Sequence, residues 1–324
     1  MHYPNSIEDI CYDPKHLDEV LAVIKEKFSR YFDKFIETKA GTTITAKQFA
    51  TAANKFQINV TVGKKKLDKC EYFQEIIKEA ISEFEKDRKK YLEILDMDAL
   101  DEHKLDPTNF KNTVLKNSCP IIHHTLQNKK AKELDKYRAA FNAAKAQDLL
   151  DVTRNLTAFA IDYFNHHYNP KTYEHFSKIG DMGLATLDGD GYTAYGVIGG
   201  GIKSHFIFKL YPSIFPNRSR ESVWALWYLT DRKTFDCKQD SEFLMINVKD
   251  NSIQQNYFYP YQLFSYYAYN IYLLLRIEAE KCDFLINRDY RYVIVDSFLS
   301  YVAQEHAAEI TELSKKDTEY GYGS

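Results

Sequence analysis

The sequence predicts a predominantly helical α+β protein, in which a helical N-terminal half packs on a C-terminal half carrying a glycine-rich segment and a small antiparallel sheet. Three observations predict it. Apolar residues recur at three- and four-residue steps through most of the first 175 positions, the period of amphipathic helices. Eight of the 12 glycines then crowd into residues 180–201. Further on, EFLMINV (242–248) and SIQQNYFY (252–259) flank Lys249, Asp250 and Asn251, a hairpin pattern. The implied division is a helical region, 1–175, an α+β region with the glycine belt, 176–314, and a tail, 315–324, expected to fray.

Residues 15–39 place Leu17, Val20, Leu21, Ile24, Phe28, Phe32 and Phe35 on one helical face, with Gly41 as a C-cap. A short helix at 46–55 and an extended piece at 57–62 follow. Their outline resembles a helix-turn-helix, but the turn glycine is missing and the lysine cluster 63–66 intervenes. Residues 67–97 form the clearest helix. Phe73, Ile76, Ile77, Ala80, Ile81, Phe84, Tyr91, Leu92 and Leu95 make its apolar stripe, and Glu and Lys alternate opposite. A helix that long, about 45 Å at 1.5 Å per residue, predicts bracing between two parts of the fold or assembly. Pro107 starts a short helix through 110–116. An alanine-rich helix is expected at 129–151 and another at 152–166, before Asn169-Pro170.

Beyond the glycines, residues 201–211 read as a helix ending at Pro212, and Ser219 as the N-cap of a helix over 220–230. Pro260 opens a helix at 261–280, and 290–309 reads as another. The cluster Tyr257, Phe258, Tyr259, Tyr261, Phe264, Tyr266, Tyr267, Tyr269 and Tyr272 suits a core or a subunit interface better than exposed base-stacking.

Composition limits the function classes. With 44% hydrophobic residues, 21 Phe and 25 Tyr, the 324-residue chain has ample surface to bury, which excludes wholesale disorder. A net charge of −3 excludes a protein that coats nucleic acid with its whole surface, while a local basic patch survives. The five cysteines, at 11, 70, 119, 237 and 282, are odd in number and form no CxxC, which predicts reduced thiols and no cysteine-based zinc site. No signal-peptide pattern and no long apolar run is present, so a cytoplasmic protein without a membrane span is expected.

Three groups carry candidate chemistry. Gly199, Gly200 and Gly201 precede Lys203, Ser204 and His205, an arrangement whose backbone N–H groups suit an anion, although its spacing matches neither a P-loop nor a dinucleotide fingerprint. Asn217, Arg218 and Arg220 surround a helix start, where cations oppose the helix dipole and call for a compensating anion, internal or external. Asp236, Asp240 and Glu242 place loop and strand-edge acids together, as metal-binding nucleases do, but lack the lysine two residues beyond the acid. No HExxH, GxSxG or kinase set is present.

These groups support a protein that binds nucleic acid or a nucleotide/phosphate ligand through Lys203, Ser204, His205, Asn217, Arg218 and Arg220. The alternatives are a metal-dependent nuclease-type hydrolase using Mg²⁺ on Asp236, Asp240 and Glu242, and a non-enzymatic interaction subunit. No cofactor is evident otherwise, and a protein partner or homo-oligomer is expected.

Overall fold

A computed structural model of the chain describes residues 9–53, 68–237, 242–247, 252–257 and 259–319. A 3₁₀ turn, Asp9–Tyr12, leads into α1 (Pro14–Ala53). The helix runs through Gly41, which therefore caps nothing. The segment 46–53 is its continuation, and the extended piece and lysine cluster lie outside the described residues. Helix α2 (Lys69–Ile94) starts at Asp68, whose carboxylate accepts from the Glu71 N–H while the Glu71 carboxylate accepts from the Asp68 N–H. This reciprocal capping stops the helix from fraying backwards. Its apolar stripe, including Phe73, Ile76, Ile77, Phe84 and Tyr91, is buried inside the chain itself.

Short helices follow: α3 (Met97–Glu102), then α4 (Pro107–Asn109), which passes into a π-helical stretch, Phe110–Ser118, and α5 (Pro120–Gln127). The expected helix over 129–151 is two pieces, α6 (Asp135–Ala143) and α7 (Ala146–Asp162). The break falls at Ala144 and Lys145, which take extended backbone so that Phe141 and Leu149 can both reach the core. Alanine richness favours helix but does not mark where tertiary packing interrupts it.

After α8 (Pro170–Tyr173), the belt folds as three 3₁₀ turns, Ile179–Met182, Ala185–Asp188 and Asp190–Tyr192. Helices α9 (Gly200–Leu210) and α10 (Arg220–Leu229) lie where the glycines and Ser219 predict them. Ser219 accepts from the Ser222 N–H at 3.0 Å. Strands β1 (Leu244–Asn247) and β2 (Ser252–Gln255) pair antiparallel, Leu244 opposite Gln255 and Asn247 opposite Ser252. Helix α11 (Tyr261–Glu280) follows, then α12 (Arg291–Glu305) and α13 (Ala307–Glu319). Helix α13 thus extends to Glu319.

Helix α12 is the hub. It packs on α1, α2, α10, α11 and α13, and Tyr292, Ile294, Val295, Phe298, Leu299 and Val302 are all buried. A helix apolar around most of its circumference belongs in the middle of a bundle. Tyr261, Tyr267, Tyr269 and Tyr272 of α11 are buried as well, so the tyrosine helix serves the core. Cys70 and Cys282 form a disulfide, contrary to the expectation of five reduced thiols. It joins the first turn of α2 to the segment after α11 across 212 positions, a pairing that sequence spacing does not encode.

Candidate metal centre

Of the cations expected to form one patch, Lys203 and Arg218 are buried beside the same Asp188 charge and Arg220 is exposed. Lys203 is buried on α9 and donates to the Leu187 carbonyl at 2.5 Å; burial pulls its ammonium down to about 8. Arg218 is 1% exposed, and its Nη2 donates to the Asn256 carbonyl at 2.8 Å. Burial lowers it to about 10, with the Asp188 charge acting in the opposite direction. Asp188 in turn accepts from the Tyr261 N–H at 2.7 Å and the Gln262 N–H at 3.3 Å, capping α11 where Pro260 cannot.

Ser204 is buried, donates to the Gly201 carbonyl and accepts from the Arg218 N–H. His205 packs edge-on against Tyr91 at 5.1 Å, and burial lowers its imidazole to about 4. Asn217 donates to Asp296 at 3.0 Å. Arg220 alone of the three cations is exposed. It donates to Ser314 Oγ at the rim of a groove of about 290 Å³ between α10, α12 and α13. At Arg218 the guanidinium is met inside the fold by the Asn256 carbonyl, with the Asp188 charge acting on it from nearby.

The expected acidic trio also divides. Asp236 is exposed, Asp240 lies outside the described residues, and Glu242 is 1% exposed. Glu242 instead meets two residues from the opposite end of the chain. Its Oε2 lies 3.1 Å from Nε2 of His16, in the first turn of α1, and Cys11 sits beside both. One ligand atom from each of Cys11, His16 and Glu242 lies within 4.8 Å of the others, and all three residues are buried.

The fold builds this cluster from four directions. The 3₁₀ turn before α1 carries Cys11, α1 carries His16, the approach to β1 carries Glu242, and α11 forms the wall. From that wall Tyr267 Oη donates to Glu242 Oε1 at 2.5 Å, and Tyr259, two residues before α11, donates its Oη to the same oxygen at 2.7 Å. Burial first, and the Glu242 charge second, hold both phenols well above their ordinary range, so they remain protonated donors. They fix one carboxylate oxygen and leave Oε2 turned toward His16. The hydrogen bond to Glu242 raises the His16 imidazole against the opposing effect of burial.

The loop from α10 completes the surroundings. Asp231, Arg232, Phe235 and Asp236 all have positive φ, which costs on the order of 1–3 kcal/mol for each residue with a side chain. Phe235 packs edge-on to His16 at 5.8 Å, and Cys237 Sγ lies 3.8 Å from Cys11 Sγ. Cys11, His16 and Cys237 escape a search for CxxC pairs. A different signal marks them: Cys11 and His16 are five positions apart, and so are Cys237 and Glu242.

No protein-family model matches the chain, and no curated protein or solved structure matches it significantly. Among the described residues, no helix is long and apolar enough to cross a membrane.

Proposed function

We propose that this chain is a metal-binding protein in which Cys11, His16 and Glu242 hold a zinc-class divalent cation that fastens the start of α1 to the β-hairpin. The observation that carries this reading is the convergence of a thiol, an imidazole and a carboxylate, within 4.8 Å of one another, from sequence positions as much as 231 apart (242 − 11).

The donor set argues for the metal. Thiolate and imidazole ligands suit zinc, whereas magnesium takes oxygen ligands and keeps its waters. This reading keeps Glu242 from the hydrolase alternative but replaces Mg²⁺ by a softer ion, and Asp236 and Asp240 by Cys11 and His16. Burial argues for the role. A catalytic zinc keeps a position open to water and substrate, while a structural zinc is closed by protein. Cys11, His16 and Glu242 are each less than 9% exposed, and the tyrosine wall covers the carboxylate. Without metal, the imidazole and carboxylate pair through a proton; metal displaces that proton and also requires the thiolate.

The test is metal content and linked stability of the full chain. After zinc loading and dialysis, about one equivalent per chain is expected, with a melting temperature that rises with free zinc, as a ligand specific for the folded state requires. His16→Ala and Glu242→Gln remove both effects. A wild-type chain that keeps no zinc and melts identically with zinc and with chelator overturns the reading.

A further inference from the structure

Resting on that metal reading, we infer that Cys237 is a fourth ligand, and that the site is a closed tetrahedral centre of two thiolates, one imidazole and one carboxylate. Two sulfurs bound about 2.3 Å from one zinc at the tetrahedral angle stand roughly 3.8 Å apart. Cys11 Sγ and Cys237 Sγ are 3.8 Å apart. A zinc-bound nitrogen and oxygen at the usual bond lengths stand roughly 3.3 Å apart, and His16 Nε2 and Glu242 Oε2 are separated by 3.1 Å. Two of the six edges of the tetrahedron are thus near their liganded lengths, and Cys237, which lies outside the 4.8 Å grouping of the other three ligand atoms, would close the remaining edges by a shift of its turn on binding the metal.

The sequence supports the same assignment independently. Ligands of structural zinc sites come in short-range pairs, each delivered by one local turn. Here Cys11 pairs with His16 and Cys237 with Glu242, both as a cysteine followed five positions later by a nitrogen or oxygen donor. The first pair spans the 3₁₀ turn and the start of α1; of the second, Cys237 follows α10 and Glu242 precedes β1. The left-handed backbone at Phe235 and Asp236 turns the chain immediately before Cys237, and a metal–sulfur bond would hold that turn in place.

Cobalt is the probe. Co²⁺ is titrated into the full chain, and the thiolate-to-metal charge-transfer absorption and the visible ligand-field bands are read at saturation. The wild type is expected to bind one Co²⁺ with the intense ligand-field bands of a tetrahedral site. Cys237→Ser should keep one Co²⁺ but lose about half of the charge-transfer intensity, with affinity lowered more than about ten-fold, the scale reached by loss of an outer partner alone. The double variant Cys11→Ser/Cys237→Ser should lose that absorption altogether. If Cys237→Ser leaves the charge-transfer intensity of the wild type, Cys237 is not a ligand, although the three-residue reading stands. If the wild type gives no cobalt spectrum, both fall. A second measurement needs no variant: bound zinc should slow alkylation of Cys237 in the wild type at least ten-fold, read by mass spectrometry. Alkylation of Cys237 at the same rate with and without zinc overturns the assignment even where Cys237→Ser fails to fold.

Discussion

Gly200 and Arg218 share one space. A Cβ at Gly200 would stand 2.8 Å from Arg218 Cζ and closer still to Nη1, so the guanidinium can lie here only because residue 200 has no side chain. Arg218 is 1% exposed and donates to the Asn256 carbonyl, so it has little room to retreat. The glycine belt and the arginine beyond it are thus two halves of one packing arrangement at the N-terminus of α9.

Gly200→Ala should therefore destabilise the fold, by about 1–3 kcal/mol, as overpacking of a filled site does. Helix propensity acts the other way, because alanine is the better helix former by about 1 kcal/mol. The two effects separate in a double-mutant cycle with Arg218→Met. If the steric reading holds, the alanine costs much less once the guanidinium is gone, and denaturant midpoints report a coupling of about 1 kcal/mol or more. Additive midpoints would remove the contact as the reason for the glycine.

Tyr267→Phe tests the tyrosine wall of the metal centre. It removes one of two donors to Glu242 Oε1 and leaves the ring in place. Outer-shell partners of this kind typically contribute about ten- to a hundred-fold in metal affinity. Zinc affinity, measured by competition with a chromogenic chelator, should fall within that range while the stoichiometry stays at one. In the chelated protein, the variant should cost about 1–3 kcal/mol for the lost hydrogen bond to a charged group.

Asp296 gives the fold a pH dependence. Burial pushes its carboxyl up to about 7, while the hydrogen bond from Asn217 Nδ2 works the other way. A folded-state value above the unfolded one means that the native protein binds more protons in between. This contribution to stability is fully present below the ordinary carboxylate range, near pH 4, and is lost as pH rises through about 7. Asp296→Asn should flatten the decline between pH 4 and 7, leaving the variant relatively more stable at pH 8 by on the order of 2–4 kcal/mol. Urea denaturation at pH 5 and pH 8 reads the difference. An unchanged pH slope would mean that the carboxyl titrates normally.

How much of this was legible in the sequence depends on distance along the chain. The Ser219 cap, the helix opened by Pro260 and the hairpin each follow from neighbouring residues, and each is found near its expected place. Gly41 misleads because a local helix-breaking tendency is a weak preference of about 1 kcal/mol. The metal cluster was half legible. Glu242 stood out as an acid beside a strand, but its partners lie at the other end of the chain, and only the three-dimensional packing of α1 against α10 and α11 brings them together. The arginine pair is an electrostatic oddity in the sequence, yet the sequence does not say that Arg218 lies buried on the Asn256 carbonyl within reach of the Asp188 charge.

Glu174 shows the same internal compensation on a larger scale. Its two oxygens accept from Arg276, Arg288, Arg291 and the Tyr272 hydroxyl, at 2.9–3.3 Å. Burial works against its charge, but Tyr272 and the three arginines hold the carboxyl below its ordinary range. Arg291 is fully buried, with its guanidinium over the Tyr173 ring at 4.5 Å and the Tyr272 ring at 5.1 Å. Removing the carboxylate leaves that charge in the core without its counterion. Glu174→Ala should therefore cost about 3–5 kcal/mol, the scale for breaking one side of a buried ion pair. Glu174→Gln keeps the shape and one acceptor oxygen, so a loss nearly as large would assign the effect to charge. Arg288→Ala should cost under about 1 kcal/mol, because that side chain is 58% exposed and water takes up the released charge. Equal losses in Glu174→Ala and Arg288→Ala, measured by denaturant titration, would contradict the ordering by burial.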